Sequence, residues 1–173
     1  VLFRSDDFAA VAEDLIKAGI TKPQHLGIMG GSNGGLLVGA VMVQRPELFG
    51  AVVCSVPLLD MQRYHKLLAG NSWMAEYGNP DKPDEWAYIS RYSPYQNVKQ
   101  GVKYPKVLLA TSTRDDRVHP GHARKMTAAL EAAGHTVSYY ENIEGGHAGA
   151  ADNAQTAFKS ALTYGFLWRM LGR

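Results

Sequence analysis

Apolar residues along this chain fall into two alternating patterns, one at helical spacing and one of short unbroken runs. Phe8, Val11, Ala12, Leu15 and Ile16 recur along one helix face, with Asp6 or Asp7 available as a cap and Gly19 as a stop. The run Leu26-Gly27-Ile28-Met29 predicts a strand, and Leu36 to Val43 a helix that ends near Arg45, because the residue before Pro46 avoids helical backbone angles. Ala51 to Val56 and Lys106 to Thr111 are apolar without alternation, as parallel strands covered on both faces are. Pro120 suits the first turn of a helix running to about Ala133, with Gly134 as its stop. Thr136 to Tyr140 predicts a fourth strand, and Phe158, Ala161, Leu162, Gly165 and Phe166 mark the apolar stripe of a closing helix. Residues 57–103 break this rhythm; they are rich in Tyr, Pro, Asn and Trp, with short helices expected around Met61–Leu68 and Asp84–Ser90. Alternating strands and helices imply an α/β fold, a mainly parallel sheet between two helical layers. Sites in such sheets lie beyond the carboxyl ends of the strands.

Composition narrows the picture. At 173 residues and 46% hydrophobic, the chain has the size of one domain with a real core. A formal charge of +2 with scattered Lys and Arg offers no basic patch, so neither nucleic acid nor an anionic membrane is an expected partner. No apolar run approaches the ~20 residues of a membrane span. Cys54 is the single cysteine, which excludes an intramolecular disulfide, and its apolar surroundings mark a buried structural thiol. The compartment is left open between cytoplasm and periplasm.

The sharpest chemical signal is Gly30-Gly31-Ser32-Asn33-Gly34-Gly35, placed between the first predicted strand and its helix. A strand turning sharply into a helix through small residues can hold a serine hydroxyl clear of the backbone, the context that G-x-S-x-G requires. The motif alone arises by chance in roughly one chain of ten this long, so its context decides. Thr113-Arg114-Asp115-Asp116-Arg117 follows the third strand, and Gly145-Gly146-His147 follows the fourth. The order Ser, Asp, His is that of α/β-hydrolases. A serine hydroxyl needs a base to take its proton, neutral imidazole can do so near neutral pH, and a carboxylate fixes the imidazole tautomer. The backbone N–H of Asn33, opening the helix, suits the oxyanion that develops. Spacing leaves Asp115 and Asp116 both open as the acid. His119 and His122 have one-turn spacing that could hold a metal, but no third ligand is evident, so neither metal nor other cofactor is expected.

Together, Gly30 to Leu37, Gln44-Arg45-Pro46-Glu47-Leu48-Phe49, Asp115-Asp116-Arg117-Val118 and Gly145-Gly146-His147 resemble the catalytic domain of the prolyl oligopeptidase family of serine peptidases. The resemblance runs from about Asp6 to the C-terminus. It implies Ser32 as nucleophile, His147 as base and Asp115 as acid, in an enzyme that cleaves short peptides after proline through an acyl-enzyme. An esterase or an aminopeptidase on the same fold is the alternative, and a catalytically incompetent fragment is another.

Asn71-Ser72-Trp73-Met74-Ala75-Glu76-Tyr77-Gly78 matches the segment whose tryptophan stacks on the substrate proline, and Arg117 matches an arginine that holds a substrate carbonyl. A core tryptophan and a surface ion pair with Asp116 are the competing readings of those two. The family's full chain also places a β-propeller, several hydrolase strands and a tyrosine oxyanion donor upstream of the elbow. Residues 1–173 therefore read as the C-terminal portion of an α/β-hydrolase domain, incomplete on its N-terminal side, with 1–5 a non-native or disordered start. The expected partners are a short peptide, the upstream part of the same parent chain, and another copy of the chain through the exposed edge of the elbow strand.

Overall fold

A computed structural model describes residues 2–172, with side chains from residue 5 onward. Four strands form one sheet in the order β1 (Gly27–Gly31), β2 (Ala51–Ser55), β3 (Lys106–Ser112) and β4 (Val137–Asn142), every pair parallel. Six α-helices run between and around them: α1 (Leu2–Lys17), α2 (Asn33–Gln44), α3 (Met74–Tyr77), α4 (Pro83–Ile89), α5 (Gly121–Ala132) and α6 (Asn153–Leu171).

The unbroken apolar runs are explained by cover on both faces. Ile28, Val52, Cys54, Val107 and Leu109 point into a core shared with α1, α2 and α5, while Ala51, Val53 and Leu108 pack against Phe166 of α6. This is the three-layer α/β-hydrolase arrangement, and it matches the expected fold class. Cys54 is buried in the first core, and burial pushes its thiol up to about 12. A third cluster, with Leu36, Leu58, Met61, Tyr64, Tyr77, Tyr92 and Val118, roofs the carboxyl end of the sheet.

Among the described residues β1 pairs only with β2, so the elbow strand lies at an edge. Met29 on that strand and Tyr164 of α6 beside it are exposed.

Both terminal helices have the expected period but a different phase. α1 begins at Leu2, so Asp6 and Asp7 lie inside the helix instead of capping it, and residues 2–5 are helical; Val1 lies outside the described residues. Its inward face is Ser5, Ala9 and Ala12, flanked by Phe8 and Ile16, while Val11 is 60% exposed. Small residues at that seam let α1 lie close against α2, which placing Val11 inward would prevent. On α6 the buried face is Leu162, Thr163, Phe166, Leu167 and Met170. Phe158, Ala161 and Gly165 face outward, with the Phe158 ring resting against Tyr140 at 5.5 Å. Between residues 57 and 103 the helix expected at Met61–Leu68 is two 3-10 turns, Tyr64–Lys66 and Leu68–Trp73, and the second expected helix is α4.

Candidate active site

The turn from β1 into α2 is made by backbone approach that only small residues permit. A Cβ on Gly30 would come within 2.6 Å of the Gly34 carbonyl carbon, and one on Gly35 within 2.7 Å of Pro57 Cβ. Ser32 itself holds φ at 56°, a left-handed conformation costly for a non-glycine residue. That geometry lifts its Oγ over the carboxyl end of the sheet. As the first residue of α2, Asn33 has an N–H with no helical acceptor, directed to the same end.

Asp115 lies in the loop after β3 and is 4% exposed. Its Oδ1 accepts from the Arg117 and Val118 amides, both at 2.9 Å, which fixes the carboxylate in place. Asp116 points to solvent, so burial separates two aspartates that spacing could not. His147 follows β4. Its Nδ1 lies 2.9 Å from Asp115 Oδ2 and 3.1 Å from Oδ1, and its Nε2 lies 3.1 Å from Ser32 Oγ. A carboxylate on Nδ1 favours the tautomer protonated there, leaving Nε2 as acceptor for the serine hydroxyl. Three residues far apart in the chain thus meet in one hydrogen-bonded line.

Beside that line is a pocket formed by Ser32, Asn33, Leu58, Trp73, Tyr77 and Val118, with Glu76 and Arg117 at its wall. Trp73, half-buried, lines the pocket while packing against the third core cluster, and Arg117 is exposed. Arg117 lines the pocket, and no Arg117–Asp116 ion pair is found among the described residues. His119 and His122 do not converge on a metal position. The first accepts from Gly121 N at 2.9 Å and the second from Leu59 N and Asp60 N. Among the described residues no cluster of metal-ligating side chains occurs.

Sequence reasoning missed the residues that hold the His147 loop. Asn142, 6% exposed, accepts from Glu144 N (2.9 Å) and Gly145 N (3.0 Å) and donates to Gly149 O (3.3 Å) and Gln155 Oε1 (2.7 Å). Lys159 donates to Ala148 O from α6. The legible signal was an asparagine at a strand end before a glycine pair, an Asx-turn former. Asn142→Ala strands two loop amides, and it is expected to lower stability by about 2 kcal/mol. Equilibrium urea unfolding checks this.

The other loop is braced by Glu141, which accepts from Thr113 Oγ1 at 2.6 Å and from Arg124 Nε at 3.0 Å. The Arg124 hydrogen bonds hold its carboxyl down to about 2, from an ordinary 4.5, against the opposing effect of burial. A folded-state value below the unfolded one adds stability above pH 4.5 that is lost as pH falls toward 2. Glu141→Gln is expected to flatten that part of the stability–pH curve, measured by denaturant midpoints across the range.

The uncharacterized peptidase y4nA of Sinorhizobium fredii is 57% identical over 166 residues, covering 96% of this chain and 23% of that protein. The prolyl endopeptidase of Dictyostelium discoideum is 45% identical over 127 residues, covering 73% of this chain and 17% of that protein. A solved post-proline cleaving enzyme from Rickettsia typhi superposes with a TM-score of 0.94 at 46% identity, covering 97% of this chain and 24% of that one. The chain thus spans about a quarter or less of the length of these relatives. The profile of the prolyl oligopeptidase family matches residues 4–173, and the chain belongs to that family.

Proposed function

We propose that this chain carries the reacting groups of a serine peptidase that cleaves short peptides after proline through an acyl-enzyme. The observation that supports this best is the His147 imidazole lying between Ser32 Oγ and the Asp115 carboxylate. In this reading Ser32 Oγ attacks the scissile carbonyl carbon as its proton passes to His147 Nε2. Asp115 steadies the imidazolium through Nδ1–H. The Asn33 amide donates to the oxyanion, where loss of one donor typically costs ~3 kcal/mol. Collapse breaks the C–N bond as His147 returns the proton to the leaving amine, and water, deprotonated by the same imidazole, then releases the acid.

Substrate choice is read from the pocket wall. The Trp73 face suits a flat, apolar pyrrolidine, and the Arg117 fork suits a peptide carbonyl oxygen. The names of two similar proteins, a prolyl endopeptidase and a post-proline cleaving enzyme, point the same way. The unpaired edge of β1, with exposed Met29 on it and exposed Tyr164 beside it, fits pairing with the upstream part of a parent chain or with a second copy.

Two measurements test the reading. Fluorophosphonate labelling of Ser32 in the 173-residue chain reports whether the three groups assemble and activate the serine. In a full-length parent, Trp73→Ala is expected to lower kcat/KM for chromogenic proline amides about 10- to 100-fold, with simple esters little affected. Equal loss on both substrate classes would remove the case for a proline pocket.

A further inference from the structure

α5 begins just after the loop that carries Asp115, and its first turn drives His122 into the interior, where the ring is 1% exposed. Its Nδ1 accepts two backbone N–H groups, from Asp60 at 3.0 Å and Leu59 at 3.3 Å. A ring nitrogen that accepts two N–H bonds carries no proton, so the proton sits on Nε2. Burial pulls the imidazole down to about 4, against the pull of the Asp60 and Asp115 carboxylates and alongside the Lys125 and His119 charges. His122 is therefore a neutral acceptor at any ordinary pH.

The segment it grips is the pocket wall. Leu58 precedes the two bonded amides, donates its own N–H to Ser32 O at 3.4 Å, and lines the pocket with Ser32 and Trp73. Downstream the segment is held by Ser93 Oγ, which accepts from Met61 N at 3.0 Å. Asp60 is held through its side chain by Gln96 at 2.6 Å and by Lys125. Lys125, on the same helix, reaches this segment only through the Asp60 carboxylate, whereas His122 holds the backbone beside Leu58 itself.

We propose that His122 is a positioning residue that sets pocket width: as a double acceptor it fixes Leu58 against Ser32, and it takes no part in proton transfer. The kinetic part of this rests on the peptidase reading above. In the full-length protein, His122→Leu is expected to raise KM for a proline amide about tenfold, with fluorophosphonate labelling of Ser32 within about twofold of the parent. His122→Asn, whose Oδ1 can take the place of Nδ1 as acceptor, is expected to recover most of that loss. Nitrogen-15 NMR of the parent protein at pH 7 is expected to show His122 as the Nε2–H tautomer.

A folded His122→Leu with unchanged KM, a His122→Asn as impaired as His122→Leu, or labelling that falls in step with KM would each overturn the proposal. An Nδ1–H tautomer would overturn it without reference to activity. If His122→Leu does not fold, the asparagine variant and the tautomer decide. Failure of Ser32 to label in the parent protein would sink the peptidase reading while the tautomer still judged the clamp.

Discussion

On the proposed peptidase reading, replacing Ser32 by alanine is expected to lower kcat by roughly a millionfold, with KM for a proline peptide nearly unchanged. The substitution removes one oxygen whose side-chain partner is His147 Nε2 at 3.1 Å, and it leaves the pocket residues in place. Alanine bears the left-handed backbone at this position about as well as serine does, so the elbow is expected to persist. Binding therefore survives while the covalent route disappears, and what remains is the contribution of the Asn33 amide and substrate positioning. Steady-state kinetics with a chromogenic proline amide, with folding checked by circular dichroism, measures the effect. Turnover within a hundredfold of the parent would exclude Ser32 as the nucleophile.

The second large effect is structural. Gly30→Ala places a Cβ 2.6 Å from the Gly34 carbonyl carbon and 3.2 Å from Val38 Cγ1. Backbone cannot yield as a flexible side chain can, so β1 and the first turn of α2 must separate. The expected cost is about 3 kcal/mol or more, a large share of the stability of a domain this size. Loss of fluorophosphonate labelling should accompany it, since Oγ moves away from His147. Gly34→Ala is the control. Its Cβ would meet nothing within 4 Å, and alanine favours the helical backbone, so stability should hold or rise. Unfolding midpoints for the pair measure the difference; similar midpoints would mean that the elbow is looser than its geometry implies.

Much of the candidate site is legible in the sequence because its signals are local. The elbow needs small residues at Gly30 and Gly35, and only a strand-to-helix turn makes sense of them between two apolar runs. Asp115 and His147 follow later strands, and sites in parallel sheets gather where strands end. The supports were harder to read. Asn142 and His122 act through hydrogen bonds to backbone amides, and nothing in a sequence says which amide lies opposite a given side chain. The pocket wall from residue 57 onward has neither helical nor strand period, because 3-10 turns packed beneath it follow no repeating face.

By itself the sequence determined the strands, their alternation with helices, the elbow and the order of Ser32, Asp115 and His147 after successive strands, all of which depend on neighbours along the chain. Tertiary structure decided what depends on neighbours in space. It buried Asp115 and left Asp116 in solvent, though adjacent residues on one turn are chemically identical until something packs against one of them. It turned α1 onto Ala9 and Ala12, flanked by Phe8 and Ile16, with Val11 outward, because that is the face α2 and the sheet cover. It also put His122 beneath the pocket wall, where two amides from a distant loop left its Nδ1 no proton to carry.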